Sequence, residues 1–450
     1  MPDPNRSGSG EPGTGLRFAL ITTFYPPYAF GGDGAVVRLL AHALLRRGHT
    51  VDVIHDVDAY RLLGGTAGTP RAEPEEPPGL RVHPLRSSVG ALSCLLTHQL
   101  GKPVVHGRRI RTILARGRFD VVHFHNVSLV GGPGILRYGD AIKLYTAHEH
   151  WLICPTHLLW RHRRELCTGR QCFRCSLRHR RPPQLWRYTG RIDQAARAVD
   201  IFCSPSPFSV GKHAEFGFSP GFEVLPNFLP DLESPDGPVD APELRLPSER
   251  PFFLFAGRLV ETKGLQDVLP VLDENLSADL LVAGRGPFEE RLKKLASGNR
   301  RVHFLDFLSG DRLAALYERA LAVVIPSRCY EVFPMVLLEA FRAGTPVVAR
   351  RLGTFEHLAG EAGGGLLLFQ SREELRGILG TLAADETSRL RAARAARETF
   401  LRRWSEPVVM ARYFDLIRRA AERRGRKRVL ERLPPTDRLS RSSGFRSSSS

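Results

Sequence analysis

Two apolar runs of strand length, Leu16-Arg17-Phe18-Ala19-Leu20-Ile21-Thr22 and Phe252-Phe253-Leu254-Phe255-Ala256, lead into glycine-bearing turns, and each opens a series of strand and helix segments. A buried strand, a glycine-rich turn and a helix make a βαβ unit, which requires a parallel sheet covered by helices. Two such series in one chain imply an α/β protein with two doubly wound, Rossmann-like domains facing a central cleft.

In the first series the turn-rich segment from Tyr25 to Gly34 follows the strand. A helix is predicted over 35–47, closed by Gly48, and a strand over 50–55. Further strands are predicted at 121–125, 142–146 and 201–203. Residues 232–250 carry Pro235, Pro238, Pro242 and Pro247 among acids, which is linker chemistry. The second series has predicted strands at 252–257, 279–284, 302–305 and 321–325. The expected organisation is a disordered leader (1–15), an N-terminal domain (16–231), a linker (232–250) and a C-terminal domain (251–403). A helix crossing back to the first domain (404–424) and a basic, Ser-rich disordered tail (425–450) complete it.

The second domain carries two acids at a predicted loop-to-helix junction. A loop is expected after the strand at 321–325 and a helix over 335–342, which puts Glu331 on the loop and Glu339 inside the helix. Ligands of open α/β sheets bind beyond the carboxyl ends of the strands, where helix N-termini aim N–H groups at phosphate. An ionised carboxylate there only accepts hydrogen bonds, which suits sugar and ribose hydroxyls. A capping or surface acid is the plainer alternative.

A net charge of +18 and a pI near 10.2 call for an anionic partner or a solvated arginine face. Clusters lie in Arg161-His162-Arg163-Arg164 through Arg178-His179-Arg180-Arg181, and in Arg418-Arg419, Arg423-Arg424 and Arg426-Lys427-Arg428. No zinc finger, RNA-binding signature or aromatic-interleaved basic strand is present, so an anionic membrane surface is favoured over nucleic acid. No apolar run approaches the ~18 residues of a membrane span, and the first residues lack a signal-peptide pattern. We therefore expect a cytoplasmic protein, peripheral at most on the inner face of the cell membrane.

The ordered set Gly257-Arg258-Leu259 with Lys263-Gly264, Gly284-Arg285-Gly286-Pro287, Pro326-Ser327, Glu331-x7-Glu339 and Gly344-x-Pro346-Val347-Val348-Ala349 resembles the donor domain of the retaining glycosyltransferase family 4, which has the GT-B fold. The resemblance covers about residues 16 to 420. It implies that Arg258 and Lys263 hold a nucleotide diphosphate, where cations stabilise the charge that develops on the leaving group. It further implies that Glu339 accepts from the ribose and Glu331 from the transferred sugar, with Gly257, Gly284, Gly286, Phe333, Met335 and Val336 completing the donor site. Many relatives have Gly after the Phe, whereas here Phe333 precedes Pro334, which offers no N–H. In the N-terminal half Gly31 and Gly32 match the loop that nears the donor phosphates. Thr146-Ala147-His148-Glu149 matches a strand-end segment with a functional His, so His148 is expected at the catalytic centre; His125 and His150 compete for the role. Transfer without a catalytic metal and with retention is what the family implies.

Four of the seven cysteines cluster as Cys154-x12-Cys167-x4-Cys172-x2-Cys175 inside an Arg-rich insert at 151–191. In a chain without secretion signals this spacing suggests four thiolates around a structural zinc, with an iron–sulfur cluster, a disulfide pair or unrelated thiols as alternatives. The expected activity is transfer of a sugar from a nucleotide-diphosphate donor to an acceptor held mainly by the first domain, in surface polysaccharide, glycolipid or glycoconjugate synthesis. A GT-B-like scaffold subunit and a nucleotide-sugar epimerase are the rival readings.

Overall fold

The computed structural model describes residues 15–64, 76–231, 246–273, 275–308 and 310–434. The expected leader except Gly15, all but the end of the linker and the Ser-rich end of the tail fall outside these residues. The first sheet contains β1 (Arg17–Ile21), β2 (Thr50–Asp56), β3 (Leu80–Leu85), β4 (Val121–Phe124) and β5 (Ile142–Thr146). A separate two-stranded hairpin, β6 (Trp160–Arg161) with β7 (Glu165–Leu166), interrupts the series before β8 (Ile201–Ser204) and β9 (Phe222–Val224). The second sheet contains β10 (Phe252–Ala256), β11 (Asp279–Ala283), β12 (Val302–Phe304), β13 (Val323–Ile325), β14 (Val347–Arg350) and β15 (Leu366–Phe369).

Strand order is β3-β2-β1-β4-β5-β8-β9 in one sheet and β12-β11-β10-β13-β14-β15 in the other, with every pairing parallel. In both the order reverses beside the first strand, between β1 and β4 and between β10 and β13. Such a reversal opens a crevice at the strands' carboxyl ends, since successive connections leave on opposite faces. The expected α/β, GT-B-type architecture is therefore present. Strands β3, β9, β14 and β15 were not predicted individually.

Each sheet is buried on both faces by apolar clusters. Helix Glu406–Arg423 contributes Val409, Met410, Tyr413, Ile417 and Ala420 to the core that covers β1, β2 and β4. Leu229 and Ser405 form a parallel bridge at its start, and Glu406 pairs with both Arg46 and Arg47, just past the end of the first helix, Gly32–Leu45. The tail expectation is corrected over 425–434. Gly425 ends the long helix at φ +62°, and a short helix, Lys427–Arg432, follows. Val429 and Leu433, one turn apart, are buried in the first core, and that apolar pair orders the segment. The arginines here are partly committed, since Arg419 meets Glu223, Arg424 meets Asp200 and Arg426 meets Asp140. No helix among the described residues is long and apolar enough to cross a membrane.

Candidate active site

The cleft between the sheets has a volume of about 870 Å³. Its walls carry Gly31, Gly32 and His148 from the first sheet's loops, and Gly257, Arg258, Lys263, Gly284, Glu331 and Glu339 from the second's. Phe333, Met335 and Val336 line it as well. The loops after β1, β10 and β13 supply most of these groups, as strand order at the two reversals dictates.

The helix predicted to begin at residue 35 begins at Gly32, with Gly31 as its N-cap. The glycines thus form a helix N-terminus facing the cleft rather than a loose loop, and Asp33 sits in the first turn, where a carboxylate suits the helix dipole. The approach at position 32 is close: a Cβ there would lie 3.1 Å from Met335 Cγ on the opposite wall, so that side chain would have to shift. At Gly284, φ is +153° and a Cβ would fall 1.9 Å from the Gly257 carbonyl oxygen, so the β10 and β11 turns pack backbone to backbone. Gly286, expected at the donor, does not line the cleft. Its missing Cβ makes room for the Leu259 carbonyl, at 2.2 Å from where a Cβ would stand.

On the donor-side wall Lys263 Nζ donates to Glu331 Oε1 at 2.6 Å and Ser327 Oγ donates to the same oxygen at 2.7 Å. Burial alone would raise the Glu331 carboxyl pKa; the charge and hydrogen bond of Lys263, helped by Ser327, outweigh it and hold the group below the usual glutamate value. Burial likewise opposes the Lys263 ammonium, and Glu331 reverses that effect and raises its pKa. The pair therefore stays ionised. Tyr317 Oη donates to Glu339 Oε2 at 2.6 Å, while burial raises that carboxyl against the opposing pull of Tyr317 and Arg342. Arg258 faces the same space with no carboxylate partner among the described residues. Phe333 turns its ring edge-on to Trp404, with centroids 5.4 Å apart. Pro334 is the N-cap of helix Met335–Arg342, so the first N–H groups at that end belong to Met335 and the residues after it.

On the opposite wall the three competing histidines separate. His148 lines the cleft, His125 lies behind it with Nδ1 2.9 Å from His148 Nε2, and His150 is fully buried and stacked on His213. The chain continues inward: His125 and His123 lie ring to ring at 4.0 Å, and His123 bonds Tyr413 Oη at 3.1 Å and Thr146 Oγ1 at 2.8 Å. Burial pushes His148 down to about 4 and His123 to about 3, so the rings are neutral at pH 7. The helix 406–423 thus reaches the cleft wall at His148 through Tyr413, His123 and His125.

Sequence reasoning missed Asp33, Tyr317, Ser327 and Tyr413. Asp33 lines the cleft, accepts from Asn126 Nδ2 at 3.1 Å and from the Gly34 N–H at 2.9 Å, and is raised by burial and then by Glu149. Glu149 Oε2 meets His157 Nδ1 at 2.6 Å, which ties the insert to the cleft wall. Asp33, as the first acid after the glycine pair, had a local signal. Ser327 lies four residues before Glu331 inside a motif read from the sequence, but its contact with that acid was not foreseen, while Tyr317 and Tyr413 depend on pairings between distant segments.

The four clustered cysteines are all free thiols, with Cys154 and Cys175 buried. Among the described residues the trio with ligand atoms within 4.8 Å of one another is instead Asp56, Asp58 and His106. Asp58 Oδ2 there already accepts from the Ser87 N–H and Oγ–H and meets His106, and burial pushes Asp56 up to about 7. This trio is a polar network joining β2 to its neighbouring loops.

Comparison with known proteins agrees with this architecture. The family model "Glycosyltransferase Family 4" matches residues 30–231, and "Glycosyl transferases group 1" matches residues 238–399. An uncharacterized glycosyltransferase of Methanocaldococcus jannaschii is 25% identical over 75% of this chain and 81% of its own. The glycogen synthase of Mycobacterium tuberculosis is 26% identical over 75% and 78%. Among solved structures, sucrose-phosphate synthase from Thermosynechococcus elongatus superposes with a TM-score of 0.67 at 19% identity, covering 91% of this chain and all of that one. Anabaena HepE, solved in complex with UDP-glucose, superposes at 0.58 and 16% identity, with 91% and 100% covered.

Proposed function

The chain belongs to the family 4 glycosyltransferases of GT-B fold, and from that premise we propose that it transfers a sugar, with retention, from a nucleotide-diphosphate donor held by 251–403 to an acceptor held mainly by 16–231. The observation that carries this reading is the Lys263–Glu331–Ser327 cluster, which stands on the same cleft as the uncommitted Arg258 and the Tyr317-braced Glu339. Arg258 and Lys263 neutralise the diphosphate, Glu339 accepts from the ribose, and Glu331 accepts from a hydroxyl of the transferred sugar. The N-termini of the helices starting at Gly32 and Met335 face the phosphates from opposite walls.

In the reaction the anomeric carbon–phosphate oxygen bond breaks and an anomeric carbon–acceptor oxygen bond forms on the same face. The acceptor's proton passes to the departing phosphate oxygen, so no second carboxylate is needed at glycosidase spacing. The cationic charge that stabilises the leaving group comes from Arg258 and Lys263 without a catalytic metal. Neutral His148, held by His125, positions the reacting sugar or the acceptor hydroxyl. The reading extends to surface polysaccharide or glycoconjugate assembly at the cytoplasmic side of a membrane, where the chain's excess positive charge favours anionic lipid.

A panel of nucleotide sugars, UDP-glucose among the first, tests this on wild type and Glu331→Ala by thermal shift, with product detection by mass spectrometry. Stabilisation by one donor that disappears in the variant is expected. No stabilisation by any donor, or by UDP, GDP, ADP or dTDP, would overturn the donor site and favour a scaffold.

A further inference from the structure

Between the cleft wall at His148 and helix Arg191–Ala196 the chain departs from the βαβ pattern. It forms the two-residue strands β6 and β7, the seven-residue helix Cys172–Arg178 and a single turn, Leu185–Tyr188. Four non-glycine residues between Cys154 and Cys167 hold left-handed backbone: His157 (φ 74°), Leu159 (49°), His162 (51°) and Arg163 (65°). Each such residue costs about 1–2 kcal/mol and persists only where its surroundings fix it. Apolar packing fixes Leu159, which is buried in the core with Trp151 and Trp186, but it does not extend over the rest of the segment, where Leu158, Phe173, Leu177, Leu185 and Tyr188 are exposed.

The four thiols share this segment without closing on one another. Cys167, Cys172 and Cys175 each lie within electrostatic reach of Cys154, and the His162 N–H donates to Cys175 Sγ at 3.3 Å. The insert also holds a cation without a counter-ion. Arg187 is sandwiched against Trp151 and Trp186, with its guanidinium carbon 5.3 and 4.8 Å from the ring centroids. Its Nε and Nη1 donate to the Gln184 side chain and the Leu152 carbonyl, while Nη2 is shut off from solvent with no partner. No carboxylate faces it among the described residues; the ionisable groups it senses are Cys154, Cys172, Tyr145 and Tyr188. An enclosed cation needs an anion beside it. Zinc held by four thiolates carries a net double negative charge and supplies one.

We propose that Cys154, Cys167, Cys172 and Cys175 bind one structural zinc ion that fixes the insert, with Arg187 as its buried counter-ion. In a closed site Zn–S bonds of about 2.3 Å bring the sulfurs within about 3.8 Å of one another. The thiols stand further apart than that in the structure, so the metal draws them in. The insert carries His157, the partner of Glu149 beside Asp33, so the ion also sets the shape of the acceptor-side wall.

The test is metal analysis of the full chain, purified without chelators or nickel resin. One zinc per chain is expected, released as the thiols are titrated with a mercurial, and Co(II) in its place should give thiolate charge-transfer and tetrahedral d–d bands. Zinc should fall to background in Cys172→Ser/Cys175→Ser and stay stoichiometric in Cys203→Ser. Wild-type protein that holds no zinc before or after reconstitution, holds iron instead, or shows the mass loss of disulfide formation overturns the proposal, whether or not the variants fold.

Discussion

The two walls of the cleft are built on different terms. On the donor side, Glu331, Glu339 and Lys263 all meet fixed protein partners, and none of them has a buried polar atom left unpaired. Across the cleft His125 Nε2, His148 Nδ1, Glu149 Oε1 and Trp151 Nε1 are all buried and unpartnered. Leaving such atoms unpaired costs about 1–3 kcal/mol each. One wall is therefore preorganised, as the proposed diphosphate and ribose of a donor require. The other keeps unused hydrogen-bonding capacity, at the cleft surface only on His148 and behind it on His125, Glu149 and Trp151.

Breaking the donor wall should have the largest effect. Glu331→Ala removes the partner of Lys263 and a sugar contact, and we expect kcat/KM for the donor to fall about 100- to 1,000-fold, as for loss of one preorganised group. Steady-state kinetics with the donor found in the panel checks this. On the other wall His148→Ala should lower kcat about 10- to 100-fold while donor affinity measured by calorimetry stays unchanged. Tyr317→Phe sharpens the donor side further. It deletes one hydrogen bond to Glu339, worth about 1 kcal/mol, so donor affinity should weaken about fivefold with kcat intact. A variant as damaged as Glu331→Ala would mean that Tyr317 does more than brace Glu339.

The smallest effect is on stability against pH. His148 and His123 titrate in the folded protein at about 4 and 3, below the ordinary 6.5. As pH falls below about 6.5 the unfolded chain takes up protons that the folded chain refuses, so stability present at pH 7 is lost progressively toward pH 4. Thermal midpoints across that range should drop, and His123→Gln should flatten the drop. An unchanged slope would place the cause elsewhere.

The donor wall was largely legible in the sequence because its residues are local. Gly257, Arg258 and Lys263 follow one strand, and Glu331 to Glu339 follow another, so strand and helix periodicity placed them together. The acceptor wall was not. Asp33 is set by where a helix starts, three residues before periodicity put it, and the His148–His125–His123–Tyr413 chain joins β5, β4 and a helix far along the sequence. Gly286 went the other way, since its motif marked a close backbone approach rather than a ligand contact. The short helix Lys427–Arg432 escaped because its basic residues, Lys427, Arg428 and Arg432, outnumber the two apolar residues that anchor it.

The most direct test of the contrast between the walls is donor affinity by calorimetry in three proteins side by side: wild type, Glu331→Ala and His148→Ala. We expect the first variant to lose donor binding and the second to keep it. Equal loss in both, or full binding in Glu331→Ala, would contradict a donor site built on the second sheet and an acceptor site built on the first.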